Sequence, residues 1–111
     1  MRKMICKDEF DYRLYLIKSN YCNNGGVYLG LQCYDENEEG FDLWGDITIN
    51  LDLLVEDDNI VFISGDLPNK VYNQLVKIGL LTEIDIVQYN WGKYKKCLVN
   101  EDIMNEYLKE E

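Results

Sequence analysis

Two segments in which apolar and polar residues alternate flank an acidic loop, and this pattern constrains the fold more than any other. Before the loop, every second position is apolar or small: Val27, Leu29, Leu31 and Cys33. After the loop, the same period relates Leu43, Gly45, Ile47, Ile49, Leu51 and Leu53. Because side chains alternate between the two faces of a strand, residues 27–54 predict an antiparallel pair with one buried face.

Helical spacing predicts two helices in the second half of the chain. Pro68 and Gly79 fit the start and the end of the main helix. Its apolar face consists of Val71, Tyr72, Leu75, Val76 and Ile78. Asn100 predicts the N-cap of a short C-terminal helix. The inner face of that second helix consists of Ile103, Met104, Tyr107 and Leu108.

Together these elements predict an α+β fold. Further strand patterns occupy residues 12–19, 60–64, 80–89 and 94–99. A length of 111 residues suits a single domain covering the whole chain. We expect a mostly antiparallel sheet of five to six strands, with the main helix and the short C-terminal helix packed on one face.

The absence of some residue types limits the reactions and metal sites that this chain could have. The chain has no histidine, which excludes Ser-His and Cys-His nucleophile pairs. Its cysteines lack C-x-x-C spacing, so we expect free thiols at Cys6, Cys22, Cys33 and Cys97. No apolar run reaches the ~18–20 residues of a membrane helix, and residues 1–7 lack the apolar part of a secretory signal. We therefore expect a cytoplasmic protein with no catalytic residues and no cofactor.

Charge is distributed unevenly along the chain. Acidic residues outnumber basic ones by 21 to 11, for a formal net charge of −10, and no lysine or arginine occurs between Ser19 and Asn69. Such a surface repels phosphates and attracts basic protein surfaces. We expect a protein partner with a basic surface, and no direct binding of nucleic acid or membrane. The candidate partner-binding residues are Asp35, Glu36, Glu38, Glu39, Asp42, Trp44, Asp46 and Asp52.

Aromatic residues suggest where such a partner would dock. Strand parity places Trp44 on the outward face of its strand, as it does Tyr28 and Tyr34 on the preceding one. The same outward parity applies to the polar positions Asp46, Thr48, Asn50 and Asp52. Either a helix covers these aromatic side chains, or they form an exposed patch of the kind that protein partners bind. Trp91, in a turn beside Lys93, either packs back on its own hairpin or is a second binding residue.

The acidic loop also approaches a calcium-binding pattern. Asp35, Asn37, Glu39 and Asp46 have nearly the spacing D-x-[DN]-x-[DN]-G-x5-E, with Gly40 at the glycine position. However, Glu39 is longer and Asp46 shorter than the usual ligands at their positions, and the flanking segments read as strands. A divalent-metal site is therefore the alternative to a protein-binding surface, and a solvated loop without metal is the third interpretation.

Short motifs in and after this region resemble a known family. They are the segment 28–35 (YLGLQCYD), Glu39-Gly40-Phe41, Ile47-Thr48-Ile49-Asn50-Leu51, Leu67-Pro68 and Gly79-Leu80-Leu81-Thr82-Glu83. They resemble a family of small acidic proteins of unknown function carried on conjugative elements, plasmids and phages of Gram-positive bacteria. The likeness covers residues 27–99 and departs at Asn90-Trp91-Gly92, where the family has a glycine-rich stretch.

That resemblance implies a protein of a mobile genetic element and carries over no catalytic residue. In its concrete form, the expected function is inhibition of a host defence enzyme, either a CRISPR nuclease or a restriction enzyme. The carboxylates of the acidic loop would then stand in for nucleic-acid phosphates. An accessory module of a conjugation or replication assembly is a further alternative.

Overall fold

A computed structural model describes residues 2–22, 26–35 and 37–109. Within these ranges the chain forms eight strands and two helices. In chain order they are β1 Cys6–Lys7, β2 Arg13–Asn20, β3 Val27–Asp35, β4 Gly40–Asp46, β5 Thr48–Ile49, β6 Ile60–Ile63, α1 Asn69–Lys77, β7 Leu81–Tyr89, β8 Gly92–Val99 and α2 Glu101–Leu108.

The strands form two four-stranded sheets. The first sheet has the order β1-β2-β3-β4, and the second has the order β5-β6-β8-β7. Neighbouring strands are antiparallel throughout both sheets. The predicted α+β class is confirmed, whereas the predicted single sheet of five to six strands is wrong.

The division between the sheets falls at Ile47, inside the segment that alternation predicts as one strand. The N–H of Ile47 donates to the Leu29 carbonyl in the first sheet, and its carbonyl accepts from the N–H of Ser64, next to the second sheet. Both distances are 2.9 Å. Ile47 is fully buried because the two sheets face the same core. The alternation of apolar residues therefore continues across Ile47, and the sequence pattern gives no sign that the chain changes sheet there.

A hydrophobic core lies between the two sheets and the two helices. Each of these elements has one apolar face, and packing those faces together removes all of them from water. Members of the core from the sheets and from both helices include Leu14, Leu31, Val61, Leu75, Cys97 and Met104.

Both helices form where the sequence predicts them. Pro68 is the N-cap of α1 rather than a residue of its first turn, and Gly79 follows the helix with a φ of 87°. A Cβ atom on Gly79 would lie 2.9 Å from Cδ1 of Ile103 on α2, so glycine is also favoured by packing. Asn100 caps α2 by accepting from the N–H of Ile103 at 3.1 Å. Neither of these two helices is long and apolar enough to cross a membrane in the described part of the chain.

The four cysteines are free, as predicted, and differ in exposure. Cys22 is exposed and Cys33 is half-buried, whereas Cys6 and Cys97 are buried. We expect Cys22 to react rapidly with a thiol reagent, and Cys6 and Cys97 to react only after denaturation, since access limits thiol chemistry. Counting the thiols modified in the fast phase tests this, and Cys22→Ser should remove one thiol from that phase. More than one rapidly modified thiol in Cys22→Ser would contradict the burial of Cys6 and Cys97, since the half-buried Cys33 can supply only one.

Candidate functional site: the acidic hairpin tip

Three of the predicted residues meet at the tip of the β3–β4 hairpin. Carboxylate oxygens of Asp35, Glu38 and Asp42 all lie within 4.8 Å of one another. The local chain brings them together, because Asp35 accepts from the N–H of Asn37 at 2.9 Å and Glu39 turns the chain with a φ of 51°. Asp35 is half-buried, and Glu38 and Asp42 are exposed. We call these three carboxylates the acidic tip.

An open depression of about 650 Å³ lies beside the acidic tip. The turn between β1 and β2 forms one side of it, and the ends of β3 and β4 form the other. Its charged and aromatic lining includes Asp11, Tyr12, Arg13, Tyr34, Asp35 and Asp42. Carboxylates beside tyrosine rings suit a cationic group, because the carboxylates supply charge and the ring faces attract cations.

Asp46 lies away from the acidic tip. It pairs with Gly30 at the opposite end of β4, four residues from Asp42, which corresponds to roughly 13 Å along a strand. The hydroxyl of Tyr28 donates to Asp46 Oδ1 at 2.5 Å. Burial, together with this hydrogen bond, raises the pKa of Tyr28 to about 12. Asp46 thus has a partner within the first sheet.

The other predicted carboxylates are dispersed. Glu39 is exposed beside the acidic tip, and Asp52 is exposed in the irregular segment between β5 and β6. Glu36 lies outside the described residues. The outward polar row predicted for residues 46–52 is also wrong, because Thr48 is buried and its hydroxyl accepts from the Leu29 N–H at 3.1 Å.

Trp44 points toward the core instead of outward. The register between β3 and β4 shifts by one residue between Leu31 and Gln32, which pair with Gly45 and Leu43, so Trp44 is an extra residue in a β-bulge. Trp44 consequently packs against the core, and Leu43, predicted as buried, is 64% exposed. The predicted outward placement of Trp44 is therefore wrong, while its role in partner binding stays a prediction.

The indole of Trp44 donates a hydrogen bond to Asp8, a residue that the sequence did not indicate as part of the site. Asp8 is buried, with 4% of its area exposed. Its Oδ2 accepts from the indole Nε1 of Trp44 at 3.0 Å, and its Oδ1 accepts from the N–H groups of Phe10 and Tyr12, each at 2.9 Å. Asp8 thereby ties the turn that carries Tyr12, one side of the depression, to the hairpin strand β4.

The outer face of the first sheet carries aromatic side chains, in part as predicted. Tyr34 and Phe41 are 41% and 40% exposed, with ring centroids 5.3 Å apart. The guanidinium carbon of Arg2 lies 4.6 Å from the Phe41 centroid and 5.6 Å from that of Tyr15. Tyr34 was predicted on this face, whereas Phe41 was not, because the bulge reverses the parity of the outer half of β4.

The calcium-type ligand set is not assembled. Asp46 would be the twelfth ligand, but the β3–β4 ladder places it at the far end of the hairpin from Asp35. Asp35 instead neighbours Glu38 and Asp42, and the spacing pattern indicated neither of these as a ligand. The oxygen donors that could hold a metal are therefore a different set from the predicted one.

Mutual repulsion at the acidic tip predicts a gain in stability when its charge is removed. We expect the triple variant Asp35→Asn, Glu38→Gln, Asp42→Asn to raise the free energy of unfolding by about 1 kcal/mol at low salt. The gain should shrink toward 1 M salt, because ions screen exposed charges. Urea unfolding at several salt concentrations measures it.

A control variant separates repulsion at the acidic tip from the effect of net charge. Asp58→Asn, Asp66→Asn, Asp85→Asn removes the same number of carboxylates at exposed positions outside the first sheet and its turns. An equal gain in both variants would show that the acidic tip has no special repulsion.

The side chains at the acidic tip can bind cations and accept hydrogen bonds, and the adjacent rings offer flat apolar surface. Comparisons with protein-family models, curated proteins and solved structures gave no match to this chain. The geometry and the charge of the site are therefore the grounds on which a function is inferred.

Proposed function

We propose that this chain is a binding protein whose acidic tip and adjacent depression engage a basic surface on a protein partner. The observation that carries the proposal is the convergence of three carboxylates within 4.8 Å at an exposed hairpin end. The basic-free stretch of the sequence supports it, because the β3–β4 hairpin carries no lysine or arginine. In the lining of the depression, Arg13 stands against the three carboxylates Asp11, Asp35 and Asp42.

The tyrosines of the depression give the partner surface a defined chemistry. Tyr12 and Tyr34 are 59% and 41% exposed beside Asp35 and Asp42. An arginine side chain fits this combination, because its guanidinium can stack on a ring while donating to a carboxylate. Arginines in such arrays line the nucleic-acid channels of nucleases, where they bind phosphates. In its concrete form, the proposal is an inhibitor of a CRISPR nuclease or restriction enzyme, encoded on a mobile genetic element.

Competition with nucleic acid tests the inhibitor directly. The chain is titrated into DNA-cleavage reactions of a panel of purified CRISPR nucleases and restriction enzymes at low and at moderate salt. We expect inhibition of at least one enzyme, weakening with salt and relieved by excess DNA. The tip variant Asp35→Asn, Glu38→Gln, Asp42→Asn should lose at least tenfold in potency.

The dispersed variant Asp58→Asn, Asp66→Asn, Asp85→Asn is the matched control, because it has the same net charge. Equal loss of potency in both variants would show that overall charge, and not the acidic tip, inhibits the enzyme. Inhibition that is indifferent to salt and to both variants would contradict the proposal.

A divalent-metal site is the second candidate function, and the same three side chains favour it. Carboxylate oxygens are the preferred ligands of Ca²⁺ and Mg²⁺, and Asp35, Glu38 and Asp42 offer one oxygen each within 4.8 Å of the others. Calorimetric titration with each metal distinguishes the candidates. Heat that disappears in the tip variant supports a metal site, and absence of heat at millimolar metal removes this candidate while leaving the first intact.

A further inference from the structure

In the described ranges two large apolar side chains are fully exposed, Trp91 at 102% and Leu54 at 101% of the reference area. Trp91 lies at the tip of the β7–β8 hairpin, where Tyr89 pairs with Gly92 and Asn90 makes the turn with a φ of 53°. The alternative in which Trp91 packs back on its own hairpin is therefore wrong. Exposed tryptophan at a protruding turn is typical of residues that partners bury.

A groove of about 320 Å³ lies beside this hairpin, between β8 and the start of α1. Lys93 and Lys95 line it on the strand side, and Asn69 lines it at the positive end of the helix dipole. The ammonium of Lys95 lies 4.2 Å from the centroid of the Tyr72 ring. Apolar walls are supplied by Ile63, Leu67 and Ile86. The groove thus combines apolar surface with positive charge on a strongly acidic chain.

Leu54 belongs to a segment with the complementary chemistry. Residues 52–58, with the sequence DLLVEDD, connect β5 to β6 without regular structure. Leu53 and Val55 are each 38% exposed, and the four carboxylates of this segment are exposed as well. We call residues 52–58 the acidic-apolar segment.

We propose that the acidic-apolar segment of one copy docks in the groove of a second copy of this chain. Leu54 meets the apolar walls beside Trp91, and the flanking carboxylates face Lys93 and Lys95. Charge complementarity supports this occupant, since the groove is basic and the segment acidic. One contact then buries both of the fully exposed apolar side chains.

The chain cannot fill its own groove. Glu56 of the segment contacts Lys96 on β8, with Oε1 to Nζ at 3.1 Å. Lys95 and Lys96 are consecutive in β8, so their side chains point to opposite faces of the second sheet. The segment therefore lies on the face opposite the groove, and only another molecule can supply it. Because the groove and the segment lie on opposite faces, the contact is head-to-tail and continues from copy to copy instead of closing a two-fold dimer.

Sedimentation of the full chain over a range of concentrations tests the proposal. We expect concentration-dependent association that weakens between about 0.05 M and about 0.5 M salt, because the contact is partly ionic. Trp91→Ala and Leu54→Ser should each raise the dissociation constant about tenfold or more. Leu43→Ser, which truncates an exposed apolar residue on β4, is the matched control and should leave association unchanged. Circular dichroism checks that each variant is folded.

Charge exchange makes the test specific to the two surfaces. Lys93→Glu and the double variant Asp52→Lys, Asp58→Lys should each self-associate weakly, whereas a mixture of the two should associate more strongly than either alone. A chain that stays monomeric at every concentration overturns the proposal. So does association that survives Trp91→Ala and Leu54→Ser, or that is lost in Leu43→Ser, which would place the contact on the first sheet.

Discussion

Replacing Asp8 by alanine should lower the free energy of unfolding by about 3 kcal/mol or more. The carboxylate is buried and accepts hydrogen bonds from the N–H groups of Phe10 and Tyr12 and from the indole of Trp44. Alanine removes all three acceptor contacts at once. A hydrogen bond to a charged group contributes about 1.5–3 kcal/mol, so the loss of three such bonds is large for a domain of this size.

Asp8→Ala should also loosen one side of the depression at the candidate site, in addition to lowering the stability of the whole chain. The turn held by Asp8 carries Asp11, whose N–H donates to the Asp8 carbonyl at 3.1 Å, and Tyr12, and both residues line the depression beside the acidic tip. Urea unfolding measures the free energy. Hydrogen exchange of the Phe10 and Tyr12 amides reports whether the turn opens locally before the rest of the chain unfolds.

Two further variants separate the contributions of the individual hydrogen bonds to the loss of stability in Asp8→Ala. Asp8→Asn keeps the size of the side chain and one acceptor oxygen, so it should lose less than alanine. Trp44→Phe removes only the indole contact and should cost about 1 kcal/mol beyond any change in packing. In a double-mutant cycle, Asp8→Ala and Trp44→Phe should be coupled, because they share one hydrogen bond. A change below 0.5 kcal/mol in Asp8→Ala, on the scale of ordinary surface substitutions, would contradict the assigned role.

Local patterns in the sequence predict the elements well and their assembly less well. Helix α1, helix α2 and the hairpin of β7 and β8 all follow from periodicity, caps and turn residues, which act over a few positions. The division into two sheets at Ile47 leaves no such trace. Both sheets pack their apolar faces against one core. Every second residue therefore stays apolar on both sides of Ile47, where the chain passes from the first sheet to the second.

The bulge at Trp44 is the second feature that periodicity cannot show. Both Leu43 and Trp44 are apolar, so the sequence fits either parity, and the choice depends on Asp8, which is more than thirty positions away. Asp8 accepts from the N–H groups of Phe10 and Tyr12 and from the indole of Trp44. No local sequence pattern connects the turn that contains Phe10 and Tyr12 with Trp44. The only sequence signal of Asp8 is an aspartate before a turn that also contains Asp11, which has a φ of 66°.

The sequence predicted the part of the candidate site that consists of residues close to one another along the chain. Asp35, Glu38 and Asp42 flank one turn, and a hairpin between two strands necessarily brings them close. Asp46 could have been excluded from the sequence alone, because a residue four positions beyond Asp42 in a strand lies far from the turn. Asp52 could not have been excluded in this way, since its place depends on the passage of the chain into the second sheet.

Alkaline pH should unfold this protein, and the Cys6 thiol should contribute to the loss of stability from about pH 9 upward. Burial, reinforced by the negative charge of Asp8, raises the pKa of the Cys6 thiol from 9.0 to about 12. Burial also raises the pKa of Tyr28 from 10.0 to about 12, and the pKa values of Tyr21 and Cys97 are raised in the same direction. In each case the folded state holds its proton more tightly than the unfolded state.

The sign of the pH dependence follows from proton linkage. A folded-state pKa that is raised gives stability that is complete below the unfolded-state pKa and is lost as pH rises through the folded-state pKa. For Cys6 that window runs from pH 9.0 to about 12, and for Tyr28 from pH 10.0 to about 12. For Cys6, the difference between a pKa of 9.0 and one of about 12 corresponds to about 4 kcal/mol of folding free energy. We therefore expect the free energy of unfolding to be level near neutral pH and to fall steeply above pH 9.

The variant Cys6→Ala isolates the thiol from the tyrosines. It removes the titrating group but leaves a small apolar side chain, so it should be less stable than the parent at neutral pH and lose less stability between pH 9 and 11. Cys22→Ser, at an exposed position, is the matched control and should keep the steep alkaline fall. Urea unfolding at several pH values gives the slopes. Equal slopes for Cys6→Ala and the parent would show that the Cys6 thiol does not hold its proton more tightly in the folded state, because ΔG of unfolding changes with pH only through the difference in bound protons.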